Sequence, residues 1–155
     1  MKVAIYARVS RDQQTVENQV IRLSGYAEQM GYDFEIFKEI ESTRNSRPIK
    51  VEVLNMLRRK EFDGVLVYKL DRWARSISEL VSDMTEMMER GIVFISYSDN
   101  IDFSSASGKL HFHILSAFAE FEREIIRERT KEGLNRARAE GKTIGRPKGS
   151  QDRNK

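Results

Sequence analysis

The chain has 155 residues, 39% hydrophobic and 33% charged, a composition that fits one globular domain with a real core plus an extension. It holds no cysteine, which excludes disulfides, thiolate zinc sites and a cysteine nucleophile, and no apolar run approaches the roughly 20 residues of a membrane-spanning helix. Residues 123–155 hold eleven Lys/Arg against five Asp/Glu, a net of +6; the whole chain is +3, so residues 1–122 carry −3. That asymmetry fits either a polyanion partner, most often nucleic acid, or a solvated charged helix.

The opening MKVAIYARVS is too short and too quickly charged for a signal peptide, so cytoplasmic residence is expected. VAIYARV at 3–9 reads as a first strand. Val16, Val20, Leu23, Ala27 and Met30 then step by four and three along one helix face, and Gly31 stops that helix. FEIF at 34–37 predicts a second strand, followed by a polar loop at 41–47. Pro48 suits the first turn of a helix running through Val53, Leu54 and Leu57. GVLVYKL at 64–70 is a third strand. Leu80, Met84, Met87 and Met88 mark another helix, closed by Gly91, with methionine as core filler rather than a binding groove. IVFISYS at 92–98 is the next strand. Strand and helix in alternation predict an α/β fold: a mostly parallel central sheet of four or five strands flanked by helices.

The last third is different. From about 107 to 140 the pattern is helical and almost unbroken, roughly 50 Å long at 1.5 Å per residue. Leu110, Ile114, Phe118, Phe121 and Ile125 form a stripe expected to pack on the sheet domain and on a partner's helix. Beyond Ile126 the stripe fades and Arg and Lys dominate, a surface for something negative. A Gly/Pro-broken basic tail follows. The expected organisation is therefore 1–103 as the sheet domain, 104–140 as the long helix and 141–155 as the arm.

In open parallel sheets, sites form beyond the carboxyl ends of the strands. There the sequence places Ser10 and five arginines: Arg8, Arg44, Arg47, Arg72 and Arg75. Clustered like charges are unfavourable unless an anion sits among them, and guanidinium groups match phosphate oxygens in a planar, bidentate way. A serine among arginines suits attack on phosphorus, the arginines neutralising charge as it develops. Asp71 supplies a carboxylate for proton movement or for orienting an arginine. Each feature also has a plain structural reading: Ser10 or Asp12 as a helix cap, Asp71 with Arg72 or Arg75 as a surface ion pair.

Several chemistries are disfavoured. There is no GxxxxGK[ST] loop and no GxGxxG after the first strand, so no nucleotide cofactor is expected. No GxSxG elbow is present, and no histidine lies near Ser10. No acidic cluster suggests a two-metal nuclease. His111 and His113, two apart on a helix, do not share a face, so no metal site is expected. Metal-free phosphoryl transfer to serine, assisted by arginine, is what remains.

Four separated segments resemble one family. Tyr6-Ala7-Arg8-Val9-Ser10, followed by Gln13-Gln14 and Gln19, is similar to the nucleophile region of the serine recombinases of the resolvase/invertase type. Lys69-Leu70-Asp71-Arg72-Trp73-Ala74-Arg75 resembles that family's KLDRLxR segment, with Trp73 where leucine is usual. Residues 121–130, with Glu122-Arg123 and Glu128-Arg129-Thr130, resemble its AERxxIxERT helix motif, and Gly145-Arg146-Pro147 its GRP arm. The resemblance covers about the whole chain.

The resemblance implies the following. Ser10 attacks a DNA phosphodiester, leaving a 5′-phosphoserine link and a free 3′-hydroxyl. Arg8, Arg72 and Arg75 bind the scissile phosphate, and Arg47 matches an arginine in the loop before the second helix, with Arg44 as its neighbour. Asp71 is a candidate proton carrier, Gln14 and Gln19 support the site, and Arg123 reaches it from the long helix with Glu122 beside it. Arg136, Lys142, Arg146, Lys148 and Arg153 contact DNA, the arm lying in a minor groove. Neither metal nor ATP is used, and a homodimer assembles to a homotetramer on double-stranded DNA. The resemblance further implies a DNA-binding domain following the arm, beyond Lys155. Against this stand two other classes: a non-catalytic DNA-binding or oligomerisation module, and a phosphate-binding α/β signalling domain with Ser10 as acceptor.

Overall fold

A computed structural model describes residues 1–9, 13–40, 46–142 and 145, with backbone alone at 9 and 13–16. Ser10, Asp12, Arg44, Arg146, Lys148 and Arg153 lie outside the described residues. Two compact units are present, residues 1–117 and 118–155.

The first unit carries a five-stranded sheet in the order β2-β1-β3-β4-β5. The strands are β1 (Lys2–Val9), β2 (Asp33–Ile40), β3 (Gly64–Val67), β4 (Val93–Ser96) and β5 (Ile101–Asp102). The first four are mutually parallel and β5 returns antiparallel to β4. β1 is central and buried on both faces, which is why residues 3–7 read as a continuous apolar run rather than an alternating one. Side chains alternate about the sheet with period two. Ala4, Tyr6, Val65 and Val67 face one core with Val53 and Leu57 of α2 (Pro48–Arg58) and Leu80, Met84 and Met87 of α4 (Ile77–Glu89). Ile5, Leu66 and Ile95 face the other, covered by Leu23 and Ala27 of α1 (Gln13–Gln29). Met84 and Met87 are therefore core, as the sequence suggests.

Chain order crosses from β2 to β3 over the central β1, so β1 marks a topological switch point whose carboxyl end opens a crevice. α1 closes at Gly31, at φ 68°, where the Tyr32 N–H donates to the Ala27 carbonyl at 2.9 Å. β3 is followed by a single turn, α3 (Leu70–Trp73), not foreseen as helical.

α5 (Ala106–Ala139) is a continuous helix of 34 residues. Its first turn sits against β5 so closely that a Cβ at Gly108 would lie 1.8 Å from the Asp102 carbonyl oxygen. The expected packing of the stripe needs correction. Phe112 and Leu115 turn to the core, while Leu110 and Ile114 are exposed. The helix has two apolar faces, and the one read as a stripe is the outer one. In the second unit Phe118 and Phe121 are also exposed, and Ile125 is half-buried. The basic residues Arg136 and Arg138 occupy the last turn, where cations complement the helix dipole. Among the described residues no helix is long and apolar enough to cross a membrane.

Candidate active site

The turn α3 is where the site is assembled. Its amino end is held by the Leu70 N–H, which donates to Asp99 Oδ2 at 2.8 Å; the same oxygen accepts from the buried Ser96 hydroxyl at 2.7 Å. The Ala74 N–H takes the Leu70 carbonyl at 3.0 Å, and so short a ladder leaves those of Asp71 and Trp73 without a helical partner. Two arginines take them. Arg8, from the end of β1, donates through Nη2 to the Asp71 carbonyl at 3.0 Å. Arg47, the residue before α2, donates through Nη1 to the Trp73 carbonyl at 2.6 Å. Cations at a helix carboxyl end are stabilising in their own right. The strand end, the α2 start and the 71–73 turn are thus tied together by guanidinium groups.

Trp73 anchors the turn from below. It is fully buried, edge-on to Tyr6 at 5.2 Å and to Phe94 at 5.6 Å, and its Nε1 donates to Asp83 Oδ2 at 2.9 Å. It occupies core, which accounts for a tryptophan at this position. Asp71 is exposed and Arg72 half-buried. The Asp71 side chain is 64% exposed, and Arg72 Nε lies 3.7 Å from its Oδ1, a loose pair that leaves the carboxylate open to solvent. Arg75 is exposed, with its backbone N–H donating to Glu79 Oε2 at 2.9 Å.

Charge behind the turn is dense. Glu79 accepts from Arg47, from Lys50 Nζ at 2.6 Å and from the Arg75 N–H. Burial pushes its carboxyl up, yet the Arg75 N–H, Lys50 and Arg47 together outweigh that and hold it below the usual carboxylate range. The Tyr6 hydroxyl is shifted far upward, by burial first and by Glu39 next, so it stays a neutral donor to Glu39 Oε2 at 3.4 Å. Gln19, on α1, is buried, and among the described residues its Oε1 meets no donor.

The structure therefore brings Arg8, Arg47, Asp71 and Arg72 to one place, with Arg75 tied to it through Glu79. Gln14 lies in α1, in a stretch described by backbone alone. Glu122, Arg123 and Arg136 are exposed on the part of α5 in the second unit, where Arg123 Nε donates to the Ala119 carbonyl at 3.1 Å. Lys142 follows α5 and pairs with Glu140 at 2.6 Å. The sequence reading missed Lys50, Glu79, Asp83 and Asp99. A signal for Lys50 did exist: it stands three and seven residues before Val53 and Leu57, inside the apolar stripe of α2.

Residues 3–143 match the family model described as the resolvase N-terminal domain. The chain belongs to the resolvase family of serine recombinases. It is 41% identical over 143 residues to the transposon Tn917 resolvase of Enterococcus faecalis, covering 92% of this chain and 74% of that protein. The catalytic domain of TP901-1 integrase superposes with a TM-score of 0.72 at 40% identity, covering 81% of this chain and 98% of that one. A resolvase family site-specific recombinase from Streptococcus pneumoniae gives 0.75 at 29% identity, over 89% and 99%. In this recombinase domain Arg8 and Arg47 meet the turn that carries Asp71 and Arg72 at the carboxyl end of the central strand.

Proposed function

We propose that this chain is the catalytic part of a site-specific DNA recombinase that cuts through Ser10. The observation that carries the reading is the convergence of Arg8 and Arg47, from two different elements, on the turn that presents Asp71 and Arg72. Ser10 immediately follows β1, one residue beyond its last position, Val9. In the reaction the Ser10 Oγ attacks phosphorus, the bond from phosphorus to the 3′-oxygen breaks, and a 5′-phosphoserine ester forms. The serine proton is lost and the leaving 3′-oxygen gains one, with Asp71 as the carrier best placed by exposure. Arg8, Arg47, Arg72 and Arg75 stabilise charge on the phosphoryl oxygens. One phosphoester replaces another, so religation needs no ATP, and the arginines supply the charge stabilisation that a metal supplies elsewhere.

Gln14, Gln19, Glu122 and Arg123 complete the site in this reading. Residues 1–103 carry the chemistry, 104–140 the long helix and 141–155 the arm. Arg136, Lys142, Arg146, Lys148 and Arg153 hold double-stranded DNA mainly through phosphates, giving affinity with little base discrimination. The outer face of α5, with Leu110, Ile114, Phe118 and Phe121 exposed, is the surface for a second copy, and two dimers form the cutting tetramer. The protein acts in the cytoplasm, on the nucleoid. A Ser10→Ala variant is expected to bind DNA as the parent does and to cut nothing. Cleavage by that variant would defeat the assignment of the nucleophile.

A further inference from the structure

Lys50 is a lysine in a hydrophobic core. Its side chain is 5% exposed, on the inner face of α2 with Val53 and Leu57. Nζ lies 2.6 Å from Glu79 Oε1 and 2.6 Å from Asp83 Oδ2, and 4.8 Å from the centre of the Trp73 ring. Its backbone N–H donates to the buried Glu39 at 2.9 Å. A buried ammonium needs partners this complete, and replacing it by an apolar side chain with its partners still charged leaves those charges buried and uncompensated.

The arrangement around Glu79 is asymmetric in a way that bears on Arg47. Lys50 and Arg47 share one oxygen, Glu79 Oε1, while Oε2 holds the Arg75 N–H. Lys50 and Arg47 balance Glu79 and Asp83. In this arrangement the Arg47 guanidinium is spent on Glu79 and on the Trp73 carbonyl rather than on an external phosphate. A phosphate that draws Arg47 away takes one of the two cations from Glu79. Lys50, the more deeply buried, stays. Glu79 then keeps a counter-ion, stays ionised and keeps its grip on the Arg75 backbone.

We propose that Glu79 and Lys50 are positioning residues for strand cleavage: Glu79 holds Arg47 in reserve and fixes the Arg75 backbone, and Lys50 keeps Glu79 in place once Arg47 turns to the phosphate. This rests on the reading of Arg47 as a phosphate ligand. It also gives Trp73 a second duty, since its ring and its Nε1 hold Lys50 and Asp83 in register. The mechanism is an exchange of ion-pair partners and needs no other change in the fold.

The test uses the full protein and a duplex selected from randomised DNA by covalent capture with the wild type. In Lys50→Met, Glu79 has no counter-ion once Arg47 turns to the phosphate, and its hold on the Arg75 backbone is lost, as it also is when Glu79 itself is replaced. Single-turnover cleavage is expected to fall about 100-fold, as for other small displacements of a reacting group. DNA affinity should move by no more than about threefold, since the loss is confined to the transition state. The double variant Lys50→Met with Glu79→Gln removes one charge of each sign, so its melting temperature should recover while cleavage stays low. Recovery of cleavage together with stability would mean that the cluster only holds the fold, and would overturn the proposal. In the wild type, the Arg47 guanidinium NMR signal should shift when the duplex is added; a signal still showing the Glu79 contact would overturn it without any variant. If the wild type captures no duplex, the nucleophile assignment fails and this inference fails with it. If it captures one and the variants cut normally, this inference alone fails.

Discussion

Trp73 carries structure and site at once, because its ring is core while its carbonyl is a ligand of Arg47. Trp73→Leu removes aromatic contacts to Tyr6 and Phe94 and leaves Asp83 without its indole donor. The expected loss is about 2–4 kcal/mol, read by urea unfolding, with a matching drop in cleavage. Glu79 provides a pH signature. Its carboxyl lies below the usual range in the folded chain, so it adds stability above the unfolded value, about pH 4.3, which is lost as pH falls through the lower folded value. Glu79→Gln should therefore flatten the fall in melting temperature below about pH 4.3, and an acid profile parallel to the wild type would contradict the ion-pair assignment. Arg8 and Arg47 were legible because each is an arginine at or beyond the carboxyl end of a strand. The carboxylates behind them were not, because Glu79 and Asp83 look in sequence like an ordinary polar helix face, and only folding brings Lys50 and Trp73 across to them.

At the level of elements, α3 and the two ends of α2 show how much rests on backbone groups. α2 closes with Lys60 in the left-handed region at φ 59°, its N–H bonded to the Leu57 carbonyl at 3.0 Å, a position that favours glycine. Lys60→Gly should raise stability by about 0.5–1 kcal/mol, and a fall in melting temperature would count against that account. Gly108 is the reverse case. Gly108→Ala drives a methyl into the Asp102 carbonyl, so α5 must shift off β5, at an expected cost of about 1–3 kcal/mol in unfolding free energy. Apolar runs revealed β1 to β4 while missing β5, which is two residues long, and periodicity revealed α1, α2, α4 and α5. It missed α3, which is one turn long and held by Asp99, Arg8 and Arg47 rather than by its own pattern. It also assigned α5 the wrong inner face, because two apolar stripes run along one helix and sequence alone does not say which meets the core.

For the molecule as a whole, the exposed apolar stripe and the basic end of α5 are the surfaces that the proposed second copy and the proposed DNA contacts would cover. A charge at Phe118 or Phe121 should weaken self-association in sedimentation and lower cleavage in step, and an untouched cleavage rate would remove the second copy from the account. Salt should weaken DNA binding steeply, since the contacts proposed for Arg136, Lys142, Arg146, Lys148 and Arg153 are mostly to phosphates. All of this depends on Ser10 as the atom that takes the DNA strand. The most direct measurement is to trap the protein on a cleaved duplex, digest the adduct and weigh the peptide that carries the nucleotide. The account predicts a 5′-phosphate ester on Ser10 and a 3′-hydroxyl on the other fragment that a polymerase extends. A nucleotide attached through its 3′-phosphate, or carried by any other side chain, would contradict it.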